Sequence, residues 1–142
     1  MYRHILIPTD GSELAEHGVE HGLALAKSLA AKVSVIFVVE PFSELSGRFL
    51  EAVATYAQLR REQAASVLNR VANAAKEAGV SCETIQVENE QPHQGIIAAA
   101  EEKGCDLIVM SSHGRSGLSK LLVGSVTNKV LAHAKTPVLV CQ

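Results

Sequence analysis

The chain has no tryptophan, and only three phenylalanines and two tyrosines among its 142 residues. That scarcity argues against the exposed aromatic rows on which single-stranded nucleic acids stack. Cysteine is also sparse: Cys82, Cys105 and Cys141 are widely spaced, odd in number and form no CxxC pair. This speaks against a disulfide framework and for reduced thiols, as in a cytoplasmic protein. Neither sign of charge dominates, since 13 basic residues face 15 acidic ones for a net of −2. Neither the basic footprint of a nucleic-acid binder nor a polybasic membrane patch is expected. No apolar run reaches the ~20 residues that a membrane-spanning helix requires. The apolar run behind Met1-Tyr2-Arg3-His4 is too short for a signal peptide.

What is present suits one compact α/β domain over residues 1–142. Hydrophobic residues make up 47% of the chain, enough for a core at this length. Five short apolar runs have strand character: Ile5-Leu6-Ile7, Val33 to Val39, Cys82 to Val87, Leu107 to Met110 and Val138 to Cys141. The second, fourth and fifth are nearly continuous in apolar residues, which predicts strands buried on both faces. The third alternates, as an edge strand does.

Between the runs the apolar period becomes helical. Ala15, Val19, Gly22, Leu23, Ala26, Leu29 and Ala30 share one face of a first helix, and Ser12 is its natural N-cap. A second helix is expected from about Leu50 to Ala78. Its stripe is Val53, Ala57, Ala64, Val67, Leu68, Val71, Ala74, Ala75 and Ala78, and Gly79 is its stop. Pro92 suits the first turn of a third helix that ends at Gly104, and a fourth runs from near Ser125 to near Lys135. Strict βα alternation predicts right-handed crossovers and an open parallel sheet with helices on both faces.

Ligands of such sheets bind beyond the carboxyl ends of the strands, so the connections there are informative. The first strand leads into Pro8-Thr9-Asp10-Gly11-Ser12, the second into Glu40-Pro41, and the fourth into Ser111-Ser112-His113-Gly114 and a stretch ending at Gly124-Ser125. Glycines let backbone approach an anion, and a helix N-terminus presents amides and a positive dipole end to it. Ser125 and Thr127 add hydroxyl donors, and Arg115 and Lys120 add counter-charges. The plain alternative is that Gly114 and Gly117 shape a loop and Ser125 caps a helix. The segment matches neither G-x-x-x-x-G-K-[S/T] nor G-x-G-x-x-G.

These residues resemble the universal stress protein family along the whole chain. The matching pieces are His4 to Ser12, Asp106 to Met110 with Ser112-His113-Gly114, Gly124-Ser125-Val126-Thr127, and Pro137 to Val140. The resemblance implies a five-stranded Rossmann-like sheet of the adenine nucleotide alpha hydrolase type. The nucleotide-binding branch carries G-x2-G-x9-G-[S/T]. Here Gly114, nine residues from Arg115 to Val123, and Gly124-Ser125 match, whereas Ser111 replaces the first glycine. That Ser111 adds a Cβ and a hydroxyl where backbone would meet a nucleotide.

Carried over by position, the resemblance implies ATP or another adenine nucleotide with Mg2+. Pro8, Thr9 and Asp10 would line the site, and Val38 would meet the adenine. Met110 and Ser111 would stand at the mouth of the fourth strand. Gly114, Gly124, Ser125, Val126 and Thr127 would surround ribose and phosphates. It also implies a cytoplasmic stress-response module, and a homodimer through a fifth strand, Val138 to Cys141, left at the sheet edge. Binding would order the Arg115–Val123 loop and the Pro41–Gly47 segment. The alternative is a dimeric interaction protein of the same fold that binds no nucleotide, and Ser111 is its best support.

Other residues have plainer readings. Asp10 as a receiver-type phospho-acceptor lacks its partners, since the fifth strand leads only to Gln142 with no following lysine. His17 and His21 have a metal-binding spacing but no third ligand, so a solvated helix face is expected. His113 reads as a surface polar group, and His4, His93 and His133 as isolated. Cys105 and Cys141 read as small buried hydrophobes, with Cys82 more exposed. No nucleophile, base and orienting group come together, so slow or negligible turnover is expected.

Overall fold

The strand runs assemble in the order β3-β2-β1-β4-β5, all parallel. In this computed structural model, which describes residues 1–41, 50–112 and 123–142, the strands are β1 (His4–Pro8), β2 (Lys32–Val39), β3 (Cys82–Glu88), β4 (Leu107–Ser111) and β5 (Val138–Cys141). The helices are α1 (Glu13–Leu29), α2 (Leu50–Ala78), α3 (Pro92–Lys103) and α4 (Ser125–His133).

Pleating divides the core into two layers. Ile5, Ile7, Val33, Val35, Phe37 and Val109 pack with the buried stripes of α1 and α2. Leu6, Ile36, Ile108 and Met110 pack with Ile96, Ala99 and Ala100 of α3 and Val130 of α4. The chain builds outward from β1 to β3 and then restarts on the other side with β4, so order reverses between β1 and β4. At such a reversal the connections diverge and leave a crevice.

Local signals hold at most helix ends. Ser12 Oγ accepts the Ala15 amide at 3.1 Å, Gly79 and Gly104 adopt φ of +76° and +68°, and Pro92 opens α3. Elsewhere the outcome departs from expectation. Leu29 is exposed, and Ala30, expected on the buried face, takes φ +53° as the C-cap of α1. Its amide bonds the Ala26 and Lys27 carbonyls there, closure that offsets the ~1–2 kcal/mol cost of a left-handed alanine. Ala74 faces solvent, and α4 stops at His133, two residues short of Lys135.

The largest difference concerns β5. Its nearly unbroken apolar run predicted burial on both faces, yet Leu139 is 44% exposed, while its place at a sheet edge is the one expected for it. β3, expected at an edge, occupies the other one.

Candidate functional site

A cavity of about 270 Å³ lies at the carboxyl ends of the strands, over the reversal between β1 and β4. Pro8, Thr9 and Asp10 enter it from the end of β1, Val38 from β2, and Met110 and Ser111 from the end of β4. Gly124, Ser125, Val126 and Thr127 enter it from the start of α4. Ten residues singled out in the sequence therefore share one wall system. Gly114 lies outside the described residues, as do His113, Gly117, the loop cations Arg115 and Lys120, and the segment 42–47.

Each wall has a local cause. After β1 the side chains bind their own turn. Thr9 Oγ1 accepts the Gly11 amide at 3.1 Å and Asp10 Oδ1 accepts the Ser12 amide at 2.9 Å. Gly11 is required there: its φ is +79°, and a Cβ would stand 2.8 Å from Val67 Cγ2. The Thr9 amide donates to the Ile36 carbonyl, tying the turn to β2.

The α4 wall is backbone. Gly124, not Ser125, is the N-cap, and no side chain caps this helix. The first-turn amides have no acceptor within the helix, and they lie at its positive dipole end beside the cavity. The Gly124 amide donates to the Ser112 carbonyl, anchoring the helix start to the end of β4. Thr127 was expected to offer a hydroxyl proton. Instead Oγ1 donates to the Ser111 carbonyl at 2.9 Å, so this buried hydroxyl braces the wall and its proton is committed.

Six lining residues were not singled out for the site: Ala15, Ile36, Glu40, Arg60, Pro92 and Ile96. Glu40 follows β2 as Asp10 follows β1, which was a usable signal. Arg60 sits within α2, where no motif marks it. Its guanidinium lies 5.5 Å from the Phe37 ring centroid. Ile36, Val38, Ile96 and Met110 make part of the cavity apolar, as ligand sites generally are.

The histidines depart from expectation at other places. His4 is buried, with Nε2 2.6 Å from Ser34 Oγ, and Ser34 donates to Glu83 Oε1 at 2.8 Å. Burial and then Lys32 lower the His4 pKa. The Ser34 bond and then Lys103 hold the Glu83 carboxyl below its usual range. Burial would raise Asp106, but the amides of Arg3 and His4 on its carboxylate outweigh it and hold it low. This chain lies at the amino ends of the strands, away from the cavity. His93 and His133 are not isolated either, their ring centroids being 5.8 Å apart. His17 and His21 sit on an exposed face as expected. Among the described residues no three metal-ligating side chains converge, and no helix is long and apolar enough to cross a membrane.

The universal stress protein family model matches residues 1–142. This chain belongs to that family. Universal stress protein MJ0531 of Methanocaldococcus jannaschii is 37% identical over 142 residues, covering 99% of this chain and 82% of its own. The solved structure of MJ0577 from the same organism is 32% identical, with a TM-score of 0.78 over 99% of this chain and 95% of that one. The universal stress protein UspA of Lactobacillus plantarum shares the fold more closely, with a TM-score of 0.90 at 21% identity over 99% and 98% of the two chains. Two further universal stress proteins of this fold, 24% and 18% identical, were solved in complex with cAMP and with dAMP.

Proposed function

We propose that this universal stress protein binds an adenine nucleotide, ATP foremost, in the cavity between the ends of β1 and β4. The observation that carries the reading is the start of α4: a helix without a side-chain cap, begun by a buried glycine, lining a half-apolar cavity. Backbone amides and the helix dipole there suit phosphate, and the Val38 side suits a base. That two proteins of the same architecture hold adenine nucleotides supports the reading at the level of fold alone.

Mg2+ fits in a limited way. It takes hard oxygen ligands and keeps waters, and among the described residues Asp10 and Glu40 are the carboxylates lining the cavity. The ion would rest mainly on phosphate oxygens and water. The role in this reading is binding with slow or no hydrolysis, as a cytoplasmic stress-response module.

Assembly follows from the edge. Leu139 is 44% exposed on β5, and a second copy pairing antiparallel would cover it and satisfy the outward amides. The rival reading is a dimeric interaction protein that binds no nucleotide. Ser111, whose backbone ends β4 inside the cavity, favours it.

Mass spectrometry of co-purifying small molecules, with thermal shifts in millimolar ATP and Mg2+, separates the two. A bound adenine nucleotide or a clear shift supports the first reading, and absence of both supports the second. Gly124→Val is expected to abolish the shift. The φ of −62° at this position suits valine, so crowding rather than backbone strain is tested. Phosphate release over hours measures any turnover.

A further inference from the structure

The second helix carries three arginines, and two are neutralised. Arg61 Nε lies 2.6 Å from Glu88, and Arg70 lies 2.7 Å from Glu16. Arg60 differs. Among the described residues no carboxylate lies within ion-pair distance of its guanidinium, and the residue, half-buried as a whole, lines the cavity. It is held from two sides, by the Phe37 ring at 5.5 Å and by Gln63 Oε1, which accepts from one terminal nitrogen at 2.6 Å. A guanidinium has five N–H donors, and Gln63 Oε1 takes one of them. A cation fixed by an aromatic face and an amide, with no acid beside it among the described residues, is pre-organised for an anion that arrives from outside.

Charge balance points the same way. The charged residues known to line the cavity are Asp10, Glu40 and Arg60. Among the described residues, Arg60 is thus the side-chain cation that lines the cavity, beside the dipole of α4. We infer that Arg60 is the side-chain contact for the ligand's phosphate, so the site selects phosphorylated over unphosphorylated adenine compounds. The inference rests on the nucleotide reading above. It assigns a contact to a helix that carries no recognisable motif. The guanidinium fork matches two phosphate oxygens at once, which lysine cannot do.

The test compares wild type, Arg60→Gln, Arg60→Lys and Arg61→Gln in titrations with ATP, AMP and adenosine at low and high salt. Arg60→Gln is expected to weaken ATP and AMP about 10- to 100-fold, to flatten the salt dependence, and to leave adenosine unchanged. Arg60→Lys should recover part of the loss, and Arg61→Gln should match wild type. Unliganded melting temperatures within about 3 °C of wild type exclude a folding defect. Equal ATP affinity in Arg60→Gln overturns the inference. An equal loss for adenosine also overturns it, because Arg60 would then act on the base or on cavity shape. If wild type binds neither nucleotides nor adenosine, the nucleotide reading itself falls and takes this inference with it.

Discussion

Gly18→Ala tests how closely α1 supports the cavity. In an open helix interior this change gains roughly 0.5–1 kcal/mol from backbone entropy. Here the new Cβ would stand 2.8 Å from the Ser111 amide nitrogen and 3.2 Å from the Met110 carbonyl carbon. Unstrained contact needs about 3.5 Å, so the deficit is roughly 0.7 Å. The obstructing atoms are backbone of β4, which is hydrogen-bonded between β1 and β5 and has no free side-chain end to swing away. The helix must therefore retreat, loosening the packing of Val19 and Leu23, or the Met110–Ser111 wall must move. Overpacking of this kind costs about 1–3 kcal/mol, so the net expectation is a loss of about 1–2 kcal/mol. The melting temperature should fall by about 3–7 °C. Ala24→Gly, exposed on the same helix, calibrates the propensity term alone. Thermal and urea unfolding measure both variants, and nucleotide titration reads the displaced wall as weaker binding. A rise in melting temperature for Gly18→Ala, with unchanged affinity, would refute the close approach.

Stability should fall as pH drops through the range below 6.5, the ordinary histidine value, because the unfolded chain protonates there before buried His4 does. The loss levels off once folded His4 titrates, and His4→Gln should flatten, without abolishing, this slope, since burial lowers His93 as well. Burial pushes the Cys105 thiol up to about 11, so alkylation at pH 8 should leave Cys105 unmodified in native protein and modify it after denaturation, as peptide mass mapping would reveal. For assembly, the Pro137 and Cys141 carbonyls accept from β4, so by the alternation of a strand the Val138 and Val140 amides face outward. Val140→Pro should therefore yield a folded monomer by light scattering and circular dichroism, and a persisting dimer would locate the interface elsewhere.

Much of the fold was readable because its causes are local. The period of apolar residues distinguishes helix from strand, and Ser12, Gly79, Pro92 and Gly104 mark ends through bonds to near neighbours or through their own φ. The walls of the cavity drawn from β1, β4 and α4 were legible because they follow strands in sequence. Glu40 and Arg60 were not singled out, since their place in the cavity depends on how β2 and α2 stand against β1.

Sequence by itself determined the element order, the alternation that implies a parallel sheet, and the glycine-started helix beyond β4. Tertiary structure alone decided that Leu139 of the apolar β5 is exposed, that Thr127 spends its proton on Ser111, that His4 reaches Glu83 through Ser34, and that Arg60 faces a cavity while Arg61 pairs with an acid. The physical reason is range: propensities and caps act over three or four residues. Neighbours across a sheet are chosen by burial summed over the whole chain, and a single side chain's partner is known only once that choice is made.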